Sequence, residues 1–314
     1  MTESRDLREC QIDKLIRLAE QGLPIVYLVS DSVSTSKIKP FMNKFPARVI
    51  NVGIAEQNLI GFAAGVANGG FIPFTGNAAP FLINRSLDQL RVDLSYSNSN
   101  VKVIGLHTGF SYGTDGITHH EVNDVGILRT LPNIDIYVPC DGNETEHLTE
   151  FIAANRRPVY ISLNSGAFPD ITNKLHLHFE GKPLQFSEGD DLTIIALGTA
   201  VHDALEAAGS LGSFCSPEIF ALTSVRPLDP APLLASIKKT GRVLTVEQHS
   251  INSGAGSIAA ALIAENGLGA KLKRLGIPEG SFTRNASAPE NKRYFGLDST
   301  GIEKTVKELL SMKT

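Results

Sequence analysis

The chain has 314 residues, of which 42% are hydrophobic and 20% charged, and a formal net charge of -4. It is long enough for two domains, and its acidic balance excludes the basic surface that a nucleic-acid backbone requires. The three widely spaced cysteines form no C-x-x-C metal or redox pair. Because no apolar run approaches the length of about 18 residues that a membrane span needs, and the start lacks the apolar core of a signal peptide, we expect a cytoplasmic protein.

Short apolar runs rich in β-branched residues predict strands in the first half of the chain, with amphipathic segments of helical length between them. The predicted strands are 25–30, 48–51, 101–107, 134–139 and 158–163. A regular alternation of strands and helices is typical of βαβ units, in which the strands form a parallel sheet. The first half of the chain is therefore predicted to be an α/β domain.

A stretch rich in proline, glycine and charged residues interrupts this alternation between Ala167 and Asp191. Such a composition is typical of a linker between domains. Beyond it, further strands are predicted at 192–198, 218–225 and 242–247. The sequence thus predicts two α/β domains, each a parallel sheet in a three-layer arrangement, at 1–170 and 191–314, with a linker at 171–190.

Glu56 lies at the predicted opening of a strongly apolar helix, whose buried face is expected to contain Leu59, Phe62, Ala63 and Val66. An acid in the first turn of a helix commonly does no more than complement the helix dipole. Taken alone, the pattern favours that structural role over a catalytic one.

A Gly-rich loop begins at the end of the predicted strand 101–107 and contains His107, Asp115, His119 and His120. Loops at the carboxyl ends of parallel strands are where α/β proteins bind ligands. Titratable side chains in such a loop serve either as proton carriers and hydrogen-bond donors to a substrate or as parts of a solvated turn. The spacing alone leaves both interpretations open.

Several motifs in order along the chain resemble the transketolase family. They are GIAEQN before a Gly/Ala-rich helix, FLINRSLDQLR, GTDGITH and RTLPNIDIYVPCDGNET in the first half, and SVRPLD and EQHSINSGAGS in the second. One such motif is weak evidence, whereas an ordered series at family-like spacing is specific. The resemblance runs through nearly the whole chain and implies a pyrimidine-binding domain followed by a smaller C-terminal domain.

The resemblance implies an enzyme that uses thiamine diphosphate to transfer a two-carbon ketol unit from a ketose donor to an aldehyde acceptor. Glu56 matches the family's catalytic glutamate, which hydrogen-bonds the aminopyrimidine ring of the cofactor. Phe81 matches an aromatic residue that packs on this ring, and Ile54 and Arg85 are expected in the same cofactor pocket.

The same resemblance assigns residues to the substrate. Asp115 and His119 match residues that contact substrate hydroxyls near the reacting carbons, and they are the expected catalytic partners of Glu56. His107 and Asn164 are expected further along the substrate. The family typically has at position 164 an arginine that grips a terminal phosphate, so the neutral asparagine predicts an unphosphorylated or unusual substrate.

Three further departures from the family pattern lie near the cofactor and the reacting carbons. Ala78 and Asn84 stand where the family usually has aromatic residues, so stacking on the ring is expected to depend on Phe81. His120 replaces a common glutamine. These changes predict weaker cofactor binding and altered hydrogen bonding near the reacting carbons.

The motif that binds the metal and the diphosphate in this family, G-D-G followed by a distant Asn, does not occur in this sequence. Its nearest lookalikes are TDGI at 114–117 and CDGN at 140–143. The resemblance therefore implies that this chain has no metal ligands. It assigns the ligands of the Mg²⁺ or Ca²⁺ ion to a second polypeptide, an N-terminal transketolase subunit, in an α2β2 assembly. It also predicts exposed apolar surface around residues 54–90.

Two other interpretations stay open. The β subunit of a 2-oxoacid dehydrogenase first component has a similar length and acid motif, although GTDGITH and RTLPN favour transketolase. A catalytically idle scaffold subunit is the second alternative, favoured by the altered pocket and opposed by the presence of Glu56.

Overall fold

The computed structural model describes residues 4–311. The strands are β1 (Ser4–Asp6), β2 (Ile25–Val29), β3 (Val49–Asn51), β4 (Ile72–Ala78), β5 (Lys102–Leu106), β6 (Asp135–Tyr137), β7 (Val159–Leu163), β8 (Ala167–Pro169), β9 (Leu184–Ser187), β10 (Leu192–Ala196), β11 (Pro217–Ala221), β12 (Ser224–Arg226), β13 (Arg242–Ser250) and β14 (Lys271–Ile277). The α-helices are α1 (Leu7–Glu20), α2 (Lys39–Lys44), α3 (Glu56–Asn68), α4 (Ala79–Arg85), α5 (Leu87–Gln89), α6 (Asp124–Arg129), α7 (Gly142–Ala154), α8 (Ala200–Leu211), α9 (Ala231–Thr240), α10 (Ala255–Glu265), α11 (Ala288–Phe295) and α12 (Ser299–Ser311). In this part of the chain, every helix is too short or too polar to cross a membrane.

The larger sheet has seven strands in the order β12-β6-β7-β5-β4-β2-β3. All neighbours are parallel except β12, which joins the edge antiparallel to β6. Strands β2, β5 and β7 are buried along their whole length because helices lie on both faces of the sheet. The parallel α/β sheet predicted for the first half is confirmed.

The smaller sheet has five strands in the order β14-β13-β10-β11-β9, of which only the edge strand β9 is antiparallel. Strand β9 lies within the segment 171–190, where the sequence predicts a linker. The predicted strand 218–225 is divided between β11 and β12, which belong to different sheets. The second half of the chain thus forms the second predicted α/β domain. It also contributes the edge strand β12 to the larger sheet.

The CDGN segment is a structural junction. The buried Asp141 carboxylate accepts hydrogen bonds from the backbone amides of Glu144, Ile171 and Thr172, and from the Thr172 hydroxyl, at 2.7–2.9 Å. Glu144 in turn accepts a bond of 2.7 Å from the hydroxyl of Thr223 in the second half of the chain. Asp141 therefore fixes the start of the segment 171–190 to α7, and Glu144 connects α7 to the second half of the chain.

Helix α3 begins at Glu56, as predicted, and places Leu59, Ile60 and Ala63 in the core. The prediction that Phe62 is buried is wrong, because its side chain lies at the edge of this face and is 43% exposed. Residues 54–90 carry the predicted exposed apolar surface. Its exposed side chains are Ile54, Phe62, Phe71 and Leu87.

Candidate active site

Glu56 is a buried acid that three consecutive elements hold in place. It occupies the first position of α3 and is 5% exposed. Asn77, near the end of β4, donates to its Oε1 at 3.3 Å, and Arg85, at the end of α4, donates to the same oxygen at 3.1 Å. The hydroxyl of Ser32 donates to Oδ1 of Asn77 and so turns the amide nitrogen of that residue toward Glu56.

The two oxygens of Glu56 differ in their surroundings. Both protein donors bind Oε1, and within residues 4–311 no donor is bonded to Oε2. A carboxylate oxygen that is held near the surface without a protein partner is available to a nitrogen of a bound heteroaromatic ring. Ile54, 76% exposed two residues before Glu56, offers apolar contact area beside it. These residues fit the pyrimidine end of a thiamine cofactor.

A row of side chains whose rings contact one another leads away from Glu56, and we call it the aromatic row. The Arg85 guanidinium lies 4.4 Å from the centre of the Phe81 ring, and this ring meets His119 edge-on at 5.1 Å. Tyr112 contacts His119 at 5.1 Å and stacks on His107 at 4.5 Å with an interplanar angle of 23°. Ring pairs at these distances are attractive, so the row connects four predicted site residues through Tyr112, which the sequence did not single out.

The loop after β5 is shaped by backbone conformations that the sequence reveals only in part. His107 has a φ of 58°, in the left-handed region that non-glycine residues rarely adopt. Gly116 has a φ of 71°, and a Cβ at this position would lie 1.8 Å from Oδ1 of Asn285. Asn285, in the second half of the chain, therefore packs closely against the loop after β5, and glycine at position 116 permits this approach.

Asp115 and His120 lie outside the aromatic row. Asp115 is exposed on the short 3-10 turn Gly113–Thr118, and its carboxylate makes no hydrogen bond with the described part of the chain. His120 is 4% exposed, packs edge-on against Phe110 and bonds through Nε2 to the Gly113 carbonyl. Asp115 is thus free to meet a ligand, whereas His120 stabilises the loop from inside.

Asn164 is engaged with the same loop. Its Oδ1 accepts a bond of 2.9 Å from the Ser111 hydroxyl, and its Nδ2 donates to the Thr108 carbonyl at 3.2 Å. The neighbouring Ser165 hydroxyl lies 2.9 Å from Nδ1 of His107. The amide of Asn164 therefore fixes the loop that carries His107.

Two buried acids lie behind the row, next to a cavity of about 30 Å³. Asp124 accepts bonds of 2.6 Å from Tyr160 and Ser162, and Glu121 accepts one of 3.3 Å from Asn84. Burial, and next the charge of Asp124, raise the pKa of Glu121 well above its usual range. Asn84, which stands where the family usually has an aromatic residue, thus donates a hydrogen bond to the buried Glu121.

We expect Glu121→Gln to stabilise the protein at alkaline pH. Because the folded state holds the proton of Glu121 more tightly than the unfolded state does, the parent loses stability as the pH rises above the unfolded pKa of about 4.5. A glutamine at this position does not ionise, so the stability of the variant does not fall with pH for this reason. Thermal denaturation should show equal melting temperatures at pH 5 and a gain of about 3 °C or more for the variant at pH 8.5. Parallel curves for the two proteins, as expected for the exposed Glu188→Gln control, would contradict this assignment.

The fold is that of an α/β protein with two large sheets and a short antiparallel pair of β1 with β8, and its candidate ligand site lies beyond the carboxyl ends of the larger sheet. The family profile "Transketolase, pyrimidine binding domain" matches residues 4–169, and the profile "Transketolase, C-terminal domain" matches residues 181–302. The chain belongs to the transketolase family, and it corresponds to the C-terminal half of a split transketolase.

Similar proteins include separate subunits and longer chains. The chain is 37% identical over 303 residues to an apulose-4-phosphate transketolase subunit of Actinobacillus succinogenes, a match that covers 96% of this chain and 97% of that protein. A solved structure described as a split gene transketolase, inactive β4 tetramer, matches with a TM-score of 0.86 at 31% identity, over 98% of this chain and 99% of that one. The 1-deoxy-D-xylulose-5-phosphate synthase 1 of Geobacter sulfurreducens is 34% identical over 96% of this chain and 47% of its own length.

Proposed function

We propose that this chain supplies the catalytic acid Glu56 to thiamine diphosphate, and that with an N-terminal subunit it transfers a two-carbon ketol unit from a ketose to an aldehyde. The observation that carries the proposal is the arrangement of Glu56, a buried acid with one oxygen held by Asn77 and Arg85 and the other available. Such an acid is suited to exchange a proton with a ring nitrogen. Thiamine diphosphate, when bound, supplies an electron sink for the carbanion that forms when the C–C bond breaks.

The proposed roles of this chain's residues follow the aromatic row. Glu56 presents Oε2 to the cofactor ring, while Phe81 and Ile54 provide apolar contact to this ring and exclude water from it. His119 is bonded through Nδ1 to the Thr118 hydroxyl at 2.9 Å, which leaves Nε2 to exchange a proton with a substrate hydroxyl. Asp115 binds a neighbouring hydroxyl, which orients the substrate against His119.

The partner is proposed to bind the exposed apolar surface of residues 54–90. This surface adjoins Glu56, and Phe62 and Leu87 on it are 43% and 38% exposed. Within residues 4–311 no group of three or more His, Cys, Asp or Glu is arranged to hold a metal ion. We therefore assign the Mg²⁺ or Ca²⁺ and the diphosphate to an N-terminal subunit with the G-D-G motif, in an α2β2 assembly.

Reconstitution with the N-terminal subunit tests this function. The candidate subunit is co-expressed with this chain, and the complex is assayed with hydroxypyruvate and ketoses as donors and a set of aldehydes as acceptors. Ketol transfer from hydroxypyruvate or a ketose supports the proposal. In parallel assays with pyruvate as the donor, formation of a 1-deoxyketose without ketol transfer indicates instead a synthase activity of the kind named for the Geobacter relative, and transfer to an added lipoyl acceptor indicates a 2-oxoacid dehydrogenase.

The surroundings of Asn164 predict a weak preference for phosphorylated acceptors. A charge-assisted bond to a phosphate contributes about 1.5–3 kcal/mol, or roughly 10- to 150-fold, and the Asn164 amide is neutral and already bonded to Ser111 and Thr108. We expect D-erythrose and its 4-phosphate to differ by less than about tenfold in kcat/KM. A much larger preference for the phosphate, the kind of group in the name of the Actinobacillus relative's substrate, would refute this prediction.

A further inference from the structure

Arg8, in the first turn of α1, is a buried cation whose donors are almost all used within the protein. It is 9% exposed, and its Nε and Nη2 donate to the two oxygens of Asp6 at 3.0 and 2.6 Å. Its Nη1 donates to the Thr35 carbonyl at 3.2 Å. The side chain is therefore held in one orientation by groups on both sides of α1.

The remaining contact of Arg8 joins it to the far end of the aromatic row. Nη1 lies 2.7 Å from Nε2 of His107. Because a guanidinium group only donates, Nε2 must accept, and the imidazole proton belongs on Nδ1. Nδ1 lies 2.9 Å from the Ser165 hydroxyl, which accepts that proton. One tautomer of His107 thus satisfies both neighbours.

The charged groups around His107 keep this ring neutral. Burial, and next the charge of Arg8, lower the pKa of His107 to about 4. Asp6 raises it in part and Lys37 lowers it, while Tyr112, stacked on the ring, and Ser165 are uncharged. The ring is fixed on one face and at both nitrogens, in a backbone conformation with a φ of 58°.

We propose that Arg8 is a positioning residue that holds His107 as a neutral imidazole in a single tautomer at the far end of the substrate cleft. The proposal rests on the proposed function in one respect, the contact of His107 with the substrate. In this arrangement His107 contributes shape and a fixed hydrogen-bonding pattern to substrate binding, and no charge.

The ¹⁵N NMR signals of the His107 ring test its state in the full chain. Nitrogen chemical shifts distinguish the protonated imidazole from each of its two neutral tautomers. We expect His107 to show the neutral tautomer with the proton on Nδ1 throughout pH 5.5 to 8. In Arg8→Met the pH at which the ring takes up a proton should move upward by at least about one unit. An unchanged profile in this variant overturns the proposal.

Two further variants keep this test decisive. Arg8→Met leaves the half-buried Asp6 without its partner, so the neutral pair Asp6→Asn/Arg8→Gln, which preserves hydrogen bonding, is measured in parallel. It should shift the profile upward as well, by a smaller amount, because the charge of Asp6, which raises the pKa of His107, is removed together with that of Arg8. Arg17→Gln removes a cation from an exposed side of the same helix and should leave the profile of His107 unchanged. An equal shift in the Arg17 variant would mean that net charge, and not the contact with Arg8, sets the state of His107.

The kinetic consequence is measured in the assembled enzyme with hydroxypyruvate as donor. For D-erythrose, which extends along the cleft, the neutral pair should raise KM at pH 6 by about fivefold or more and leave kcat within about twofold. For glycolaldehyde, which is too short to reach His107, KM should not change. Equal effects on both acceptors would overturn the positioning role. If the parent complex transfers no ketol unit at all, the proposed function fails, and the NMR titration of the full chain still decides whether Arg8 controls His107.

Discussion

Replacing Glu56 by glutamine in the assembled enzyme is expected to lower kcat by about 10²- to 10⁴-fold, the usual contribution of a general acid or base. Glutamine has the same size and its oxygen still accepts from Asn77 and Arg85, the two donors that hold Oε1. It cannot take up and release a proton at the position of Oε2. The loss should therefore appear in turnover, with the melting temperature and the assembly with the partner nearly unchanged.

A matched variant shows whether the loss is specific to this acid. Glu150→Gln makes the same change at an exposed glutamate of α7 that pairs with Lys14, and it should retain the parent rate. If Glu56→Gln also retains the parent rate, the proton transfer assigned to Glu56 is absent, and the chain would be a scaffold subunit.

The isolated chain is expected to show no ketol transfer, and the N-terminal subunit should restore it in full. The ring of the cofactor is proposed to bind beside Glu56, and within residues 4–311 no group of three or more His, Cys, Asp or Glu is arranged to hold a metal ion. Titration of the chain with the partner, at fixed thiamine diphosphate and Mg²⁺, should give activity that saturates at equal amounts of the two subunits. Full activity of the chain alone would contradict the account.

The exposed apolar surface gives this prediction a matched pair of variants. Phe62→Glu introduces a charge on the exposed side of α3, the helix that begins at Glu56. Phe214→Glu introduces the same charge at a phenylalanine that is 60% exposed elsewhere. Burying an unpaired carboxylate in an interface is costly, so Phe62→Glu should raise the partner concentration needed for half-maximal activity by at least about tenfold. Phe214→Glu should leave it unchanged, and equal behaviour of the two would locate the interface elsewhere.

The fold was predictable where the sequence signal is local. Strands β2, β5 and β7 are continuous apolar runs because helices bury both of their faces. Strand β4, IPFTGNA, went unpredicted because its proline, glycine and asparagine are poor strand formers. The sequence also predicted one strand at 218–225 where the structure has β11 and β12. The strand with which a short apolar segment pairs cannot be read from the residues of that segment.

The site was predictable in part for a related reason. Glu56, Phe81 and His119 lie in motifs that could be recognised along the chain, and the structure brings them into one continuous set of contacts through Arg85. Arg8 could not be found in this way, because it is 99 residues from His107 and looks like any polar residue of an amphipathic helix.

The role of Tyr112 was hidden for a different reason. Its stacking on His107 depends on the left-handed backbone of His107, a conformation that nothing in the residue type announces. For Asn164, comparison with the family pattern shows that asparagine stands where an arginine is typical. It does not show the hydrogen bonds that the asparagine amide makes with Ser111 and Thr108.

A crystal structure of the two-subunit complex with thiamine diphosphate bound would test the proposed role of Glu56 by direct observation. We expect a Glu56 carboxylate oxygen to lie about 2.7–3.2 Å from a nitrogen of the pyrimidine ring, and the metal and the diphosphate to contact the partner subunit. A Glu56 side chain remote from the ring, or a diphosphate held by residues of this chain, would contradict this proposal.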